Sequence, residues 1–157
     1  MMSPYVIRDC RLADLRALVP AMRAADRSEI EGAGMVPRHA LFDLWRRSPD
    51  PQIAEIRDGA GWRIAAAWGD CGTMLNPIGS AWLFTTDAVE LAPLAFFRHA
   101  RSWAYSRLDF RKKIVSSVRS DYTSALRFFA MMGFSVGEPQ AIPPHGIAYS
   151  MIELRRH

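Results

Sequence analysis

Hydrophobic residues recur with two periods along the chain, one typical of strands and one typical of helices. The β-prone residues 5–8 are followed by apolar residues at helical spacing from Leu12 to Met22. Pro20 lies within this helical pattern, so we expect it to kink the helix or to divide it in two. Residues 29–34 combine two glutamates with two glycines, which predicts a loop.

The pattern then predicts a helix followed by three strands. Pro37 suits the first turn of the helix, which is expected to end by residues 48–51. Residues 53–56 and 62–68 predict a β-hairpin, and residues 80–85 predict a further strand.

A long helix is predicted after the third of these strands. Asp87 and Glu90 have the spacing of a capping box, in which two side chains satisfy free backbone N–H groups at a helix start. We therefore expect the helix to begin at Asp87 and to end near Leu108.

The last third of the chain predicts strands separated by one helix. Residues 114–118 suit a short buried strand, residues 123–132 suit a helix, and residues 147–154 suit the final strand. Gly133 is expected to end the helix in the left-handed conformation, with a strand from Phe134 onwards. The alternation of strands and helices implies some parallel pairing, so we predict one α/β domain with a mixed sheet flanked by helices, an α+β arrangement spanning residues 1–157.

Composition is typical of a globular protein and narrows the function classes. Half of the residues are hydrophobic and 23% are charged. No apolar run approaches the roughly 20 residues of a membrane span, and the first residues do not have the pattern of a signal peptide, so we expect a cytoplasmic protein with no membrane partner. Cys10 and Cys71 lack metal-site spacing, and we expect two reduced thiols, with a disulfide as the alternative.

The net charge of +4 comes almost entirely from arginine, since Lys112 and Lys113 are the only lysines. Arginine is well suited to phosphate contacts, which raises nucleic acid as a partner. The arginines are scattered, however, and form no long basic run. This distribution favours a solvent-exposed arginine-rich surface over a nucleic-acid-binding one.

The order of elements, from about residue 5 to residue 154, resembles that of the GNAT (GCN5-related N-acetyltransferase) superfamily. Residues 7–15 resemble the family's first strand, its polar turn and the Asp-Leu start of its first helix. Residues 125–134 resemble its penultimate helix, which closes on a Gly-Phe pair, here Gly133 and Phe134. The resemblance implies a single GNAT-like domain and, for an active member, acetyl-CoA as cofactor in N-acetyl transfer.

A narrower resemblance is carried by residues 81–88, by the aromatic helix that follows them, and by the arginine-bearing helix that ends in Gly133. These segments are similar to GNAT-like proteins of tailed bacteriophages, a group that includes internal virion protein A. That resemblance implies a phage-encoded protein whose partner is a virion or host protein, located in the virion or the host cytoplasm.

The sequence departs from the family pattern at the cofactor site. Family members place the motif Arg/Gln-x-x-Gly-x-Gly/Ala where the pyrophosphate binds, whereas residues 86–93 contain neither glycine nor arginine. Asp87 and Glu90 would instead bring carboxylates to the helix start, which disfavours a phosphate. If acetyl-CoA binds, the resemblance places it along the fourth strand and the turn after it, at Phe84, Thr85, Thr86 and Asp87.

The catalytic groups of the family are not clearly matched either. Phe129 stands where many members have the tyrosine that protonates the leaving thiolate, and Tyr122 is the nearby phenol that could replace it. Glu55 and Asp121 are the candidate bases. Each also has an ordinary structural interpretation, Glu55 as a strand residue that faces solvent and Asp121 as a turn or cap residue. The chain has no cluster of residues at metal-ligand spacing, so no metal is expected.

Three hypotheses follow. The first is a GNAT-fold protein with a degraded acetyl-CoA site and a binding or virion-associated role. The second is an acetyl-CoA-dependent N-acetyltransferase with a divergent cofactor site. The third is a nucleic-acid-binding module. Enzymatic activity, substrate and oligomeric state stay open at this point.

Overall fold

An eight-stranded mixed sheet organises the chain in the computed structural model, which describes residues 5–156. The strands lie in the order β1-β2-β3-β4-β5-β8-β6, and β7 pairs with β8. Every pairing is antiparallel except that of β4 with β5. The strands are β1 (Tyr5–Asp9), β2 (Gln52–Asp58), β3 (Gly61–Cys71), β4 (Ile78–Thr85), β5 (Lys113–Arg119), β6 (Ser135–Val136), β7 (Gln140–Ile142) and β8 (Ile147–Arg155).

Helices cover both faces of the sheet. The helices are α1 (Leu12–Ala21), α2 (Ala24–Gly32), α3 (Pro37–Arg46), α4 (Pro93–Arg107) and α5 (Thr123–Met132). Helices α1 to α3 pack on one face, where Leu18 and Leu41 are fully buried against sheet residues such as Ile53. Helices α4 and α5 pack on the other face, over Ile114 and Ile152. These faces are called the α1 face and the α4 face below.

Several sequence-based expectations are confirmed, because local pattern determines them. The hairpin is formed by β2 and β3, with turn residues between Asp58 and Gly61. Gly133 ends α5 at φ 112°, in the left-handed region. The mixed α/β architecture is also as predicted. Cys10 and Cys71 are buried free thiols.

The expected loop at residues 29–34 is wrong over its first four residues. Helix α2 continues through Gly32, and the predicted division of the helical segment falls at Met22 and Arg23 instead of Pro20, which lies inside α1. Tertiary contacts explain the difference. Ile30 is buried, and a Cβ at Gly32 would lie 2.8 Å from the Tyr149 hydroxyl, so a small residue is needed in this last helical turn.

The predicted capping box at Asp87 and Glu90 is also wrong. Thr86 caps a short 3-10 helix, Asp87–Leu91, by accepting a hydrogen bond from Ala88 N–H at 3.2 Å. Helix α4 begins only at Pro93, whose fixed φ suits a first helical turn.

A buried ion cluster fixes the start of β4. Asp70 at the end of β3 pairs with Arg111, and both side chains are at most 1% exposed. The Arg111 guanidinium also donates to the carbonyl oxygens of Thr73 and Asn76, in the connection between β3 and β4. The cluster therefore holds this connection, and with it the first residues of β4, in place.

Replacing Arg111 with Met is expected to lower the free energy of unfolding by about 3 kcal/mol, because Asp70 would stay buried without its only hydrogen-bonded partner and would keep just the longer ion pair with Arg107, at 3.6 Å. Arg63→Met is the matched control, since Arg63 and Asp58 form an exposed pair with side-chain exposures of 47% and 46%. The control should lose no more than about 1 kcal/mol. Urea unfolding of both variants measures the difference, and equal losses would contradict this account of the cluster.

Candidate functional site

The parallel strands β4 and β5 separate and open a cleft through the sheet. Their registered pairs run only from Ile78 with Lys113 to Ser80 with Val115. Both strands continue, to Thr85 and Arg119 respectively. The cleft between them has a volume of about 970 Å³, which is within the range of small-molecule sites.

The β4 side of the cleft offers backbone groups. Thr85 N–H donates to Asp26, and the Thr85 carbonyl accepts from Arg23 N–H, so both groups point away from β3. Backbone groups alternate along a strand, and those of Leu83 therefore point in the same direction, into the cleft. A ligand lying along β4 can bond to Leu83 N–H and C=O.

Asp26 of α2 lines the open end of the cleft, on the α1 face. Its Oδ2 accepts from Thr85 N–H at 2.7 Å and from the Thr85 hydroxyl at 2.8 Å, and its Oδ1 accepts from the Tyr122 hydroxyl at 2.9 Å. Burial raises the pKa of the Asp26 carboxyl, and these hydrogen bonds oppose the rise. Asp26 thus fastens α2 to the end of β4 and to the start of α5, with both carboxylate oxygens occupied.

Glu29 lies one turn further along α2 and faces the same cleft. Its Oε2 accepts from Arg119 N–H at 3.0 Å, whereas no residue within 5–156 bonds to Oε1. Burial raises the pKa of Glu29 to about 7, with a further contribution from the Asp26 carboxylate. A carboxylate with this pKa and a free oxygen in a cleft is suited to general base catalysis.

Two phenols lie beside these carboxylates. Burial raises the pKa of Tyr122, and the neighbouring Asp26 raises it further. Tyr149 donates its hydroxyl proton to the backbone carbonyl of Glu29, and burial raises its pKa also. Both phenols therefore keep their protons at neutral pH, and both line the cleft.

The cofactor residues expected from the sequence divide into two groups. Phe84 and Thr85 line the cleft, whereas Thr86 and Asp87 lie outside its lining. Thr86 is 2% exposed, and its hydroxyl donates to the Ile64 carbonyl at 2.6 Å. The Asp87 side chain is 82% exposed and lies 3.9 Å from Arg23.

The structure places only one of the predicted catalytic candidates at the cleft. Tyr122 lines it. Glu55 lies on β2 in an ion pair with Arg8 at 2.9 Å, and Asp121 pairs with Arg119 at 2.7 Å with its side chain 68% exposed. Both acids lie outside the cleft lining.

Sequence reasoning missed Asp26 and Glu29 because it ended the helical pattern too early. The two carboxylates are three residues apart, and Ile30 and Ala33 share their face of the helical pattern. This spacing was the available signal that the helix extends through Glu29. Within residues 5–156 no group of three or more His, Cys, Asp or Glu side chains could hold a metal ion.

The charges at the α4 end of the cleft differ from the sequence-based expectation. Glu90 is neutralised by Arg23, at 2.5 Å, and precedes α4 instead of standing in its first turn. Arg127 of α5 is exposed, lines the cleft, and has no acidic partner among residues 5–156. The free cation and the Leu83 backbone groups suit a ligand with an anionic end and an extended amide-containing arm, which are features of acetyl-CoA.

Neither a protein-family model nor a curated protein sequence matches the chain. Solved structures match it over almost its whole length. A spermidine N-acetyltransferase from Vibrio cholerae, in complex with CoA and spermine, superposes with a TM-score of 0.68 at 11% identity, covering 97% of this chain and 95% of that one. The chain has the fold of the GNAT acetyltransferases.

Two further structures with the GNAT fold support this assignment. A GNAT superfamily phosphinothricin acetyltransferase from Sinorhizobium meliloti, in complex with acetyl-CoA, matches with a TM-score of 0.67 at 12% identity, covering 97% of this chain and 88% of that one. An aminoglycoside N(6')-acetyltransferase from Legionella pneumophila matches with a TM-score of 0.69 at 10% identity, covering 99% and 94%. At such low identity the likeness establishes the fold alone.

Asp26→Ala is expected to lower the free energy of unfolding by about 2–4 kcal/mol, because it leaves two buried donors on Thr85 and the half-buried hydroxyl of Tyr122 without an acceptor. Tyr122→Phe removes one donor and should cost about 1 kcal/mol. Asp58→Ala, at an exposed ion pair, is the control and should change stability by less than about 1 kcal/mol. Denaturant titration ranks the three variants, and a loss for Asp26→Ala no greater than the control's would disprove the role of Asp26.

Glu29 should make the protein less stable as pH rises from 4.5 to about 7. Its pKa is 4.5 when unperturbed and about 7 in the fold, so the folded state binds more protons across this interval. Rising pH therefore favours unfolding, by up to about 3 kcal/mol at pH values above the folded pKa. The groups that surround Glu29 are Asp26, Arg119 and Tyr149, and all three are retained in a Glu29→Gln variant.

Melting temperature measured from pH 4.5 to pH 8 tests this expectation. The Glu29→Gln variant should lack the part of the decline that Glu29 causes. Glu31→Gln changes an exposed glutamate of the same helix and should follow the wild-type curve. Parallel curves for the wild type and Glu29→Gln would show that Glu29 does not titrate abnormally.

Proposed function

We propose that the chain is an N-acyltransferase that uses acetyl-CoA as donor. The observation that carries the proposal is the position of Glu29, whose free carboxylate oxygen and pKa of about 7 occur within a cleft that opens between splayed strands. The names of the GNAT-fold structures that match the chain support the same reaction class, and two of them contain CoA or acetyl-CoA.

Each group of the cleft has a distinct role in this proposal. When bound, acetyl-CoA supplies an activated acyl group on a thioester. Leu83 N–H and C=O bond to the arm of the cofactor along β4, and Arg127 pairs with its phosphate groups. Glu29 accepts a proton from the acceptor amine, for which a pKa near neutrality is well matched.

Tyr122 is the proposed proton donor. Phe129, at the position that the family resemblance assigns to a tyrosine, packs its ring against Phe128 and Phe134 and carries no proton. Tyr122 lines the same cleft and keeps its proton because burial raises its pKa. Its contact with Asp26, at 2.9 Å, orients the hydroxyl and gives it a route for proton exchange.

A binding role is the second candidate function. It is favoured by the absence of glycine from residues 86–93 and by the apolar ring of Phe129. In this alternative the fold is retained for its surface, and the resemblance to phage proteins proposes a virion or host protein as partner. Acetyl-CoA binding distinguishes the two candidates.

Calorimetric titration with acetyl-CoA should give saturable binding, with a stabilisation of about 2.7 kcal/mol at a ligand concentration 100 times the dissociation constant. Arg127→Ala should weaken binding about tenfold, since it removes one charge-assisted contact worth about 1.4 kcal/mol. Arg98→Ala removes an exposed arginine of α4 outside the cleft lining and should leave the affinity within about twofold. If acetyl-CoA does not bind, the enzymatic proposal is wrong and the binding role is favoured.

The Glu29→Gln variant provides the matching kinetic test, with release of free CoA measured over a panel of primary amines. Loss of a general base should lower kcat/KM by about 10²–10⁴ while acetyl-CoA affinity is unchanged. The Glu31→Gln control should retain wild-type activity. Equal rates for Glu29→Gln and the wild type would remove Glu29 from the catalytic role.

A further inference from the structure

The mouth of the cleft on the α1 face has an acidic and apolar lining. Asp26 and Glu29 supply the charge, and apolar side chains surround them. Met35 and Met151 are 51% and 57% exposed at this mouth, although both are apolar. Such exposure is expected where a ligand covers the side chains.

No free cation offsets these carboxylates among the described residues of the mouth. Arg23 is held by Glu90 at 2.5 Å, and the Arg119 guanidinium is held by Asp121 at 2.7 Å. The unpaired arginine of the cleft, Arg127, projects from α5 and hence belongs to the α4 side. A ligand carboxylate at the α1 face would therefore be repelled by two acids and would have no unpaired guanidinium to bind.

Only one of the two acids is available to a ligand. Both oxygens of Asp26 accept hydrogen bonds within the protein. Glu29 accepts one, from Arg119 N–H, and its Oε1 is left to receive a donor from the cleft. The site therefore provides a single anionic contact for a cation, with Asp26 adding to the negative potential.

Two close contacts join the loops that lie beside this mouth. A Cβ at Gly34 would lie 2.6 Å from Pro144 Cδ, so the loop after α2 lies directly against the loop between β7 and β8. Gly32 is packed equally closely against the Tyr149 hydroxyl, at 2.8 Å from the corresponding Cβ position. These contacts join the two loops beside the mouth, and the lining around Glu29 is largely apolar.

We propose that the acceptor is a small primary amine that binds as a cation, with an apolar body and no carboxylate. This inference rests on the proposed acyltransferase function and specifies its substrate class. The ammonium group donates to Glu29 Oε1, while the apolar body lies between Met35 and Met151 on the α1 face.

The transfer is balanced in protons and electrons. The ammonium loses one proton to Glu29, and the freed nitrogen lone pair forms the bond to the thioester carbonyl carbon. The carbon–sulfur bond breaks, and its electron pair leaves on sulfur. The nitrogen loses its second proton to solvent, the thiolate gains one from Tyr122, and Tyr122 takes one back from solvent, directly or through Asp26. Glu29 releases its proton to solvent, so that one proton is produced in each turnover.

Direct binding of three matched probes tests the inference without turnover. Phenethylamine carries the cation and an apolar body, phenylalanine adds a carboxylate, and 2-phenylethanol lacks the charge. By calorimetry on the whole chain, with and without bound CoA, phenethylamine should bind at least about tenfold more tightly than either analogue. Equal or tighter binding of phenylalanine, or equal binding of the neutral alcohol, would overturn the inference.

Variants and pH assign the contact to Glu29. Glu29→Gln should weaken phenethylamine binding about tenfold or more, whereas Glu31→Gln should not change it. Wild-type affinity should fall as pH drops through about 7, because Glu29 becomes protonated, and the groups facing it, Asp26, Arg119 and Tyr149, are present in both proteins. An unchanged affinity in Glu29→Gln would exclude Glu29 as the amine contact.

A parallel acetyl-CoA titration separates failure of the inference from failure of the proposed function. If acetyl-CoA binds and acyl transfer favours phenylalanine, the inferred substrate class is wrong and the proposed acyltransferase function is retained. If phenethylamine binds through Glu29 and acetyl-CoA does not bind, the inferred amine-binding site is retained and the proposed acyltransferase function is wrong.

Discussion

The carboxylate of Asp26 occupies the position that a neighbouring strand would take at the end of β4. Thr85 N–H points toward the gap between β4 and β5, where continued pairing would have satisfied it, and Asp26 accepts it instead. Because a buried N–H without a partner is costly, this contact allows the strands to separate without loss of stability. The same carboxylate receives Tyr122, so α5 is positioned by the same contact.

A second buried carboxylate determines where the separation begins. Asp70 and Arg111 hold the connection between β3 and β4, next to the three residue pairs that still join β4 and β5. The cleft is thus bounded by Asp70 at its closed end and by Asp26 at its open end. Both are far from their partners in sequence. Asp26 accepts three hydrogen bonds, whereas Asp70 accepts one, from Arg111, and has a longer ion pair with Arg107 at 3.6 Å, so each buried charge has a compensating partner.

Asp26 and Glu29 have similar side chains but different surroundings. Asp26 therefore has a structural role, whereas Glu29 is available for chemistry. Three hydrogen bonds to Asp26 counteract the effect of burial, and they leave none of its oxygens open. Burial raises the pKa of both carboxyl groups; Glu29 accepts only one hydrogen bond, its pKa rises to about 7, and one of its oxygens is left open. Arg23, which directly precedes α2, pairs with Glu90, and this reduces the repulsion that the acidic residues after β4 would otherwise exert on a phosphate.

The sequence by itself determined the elements whose signals are local. Strand periodicity located the β2–β3 hairpin, and Gly133 ended α5, because a left-handed residue is a property of the backbone at that position. The order of these elements predicted a mixed α/β domain, and its resemblance to the GNAT family, together with that of residues 7–15 and 125–134, implied the GNAT fold, although the capping-box spacing misplaced the start of α4.

Only the tertiary structure decided which side chains form the site. Asp26 meets Thr85 and Tyr122 across 59 and 96 residues of sequence, and Glu29 meets Arg119 across 90. These contacts extend α2 beyond the predicted loop boundary and bury its two carboxylates. Burial and hydrogen bonding set the protonation of a carboxyl group, and both depend on residues that are brought together only when the chain folds.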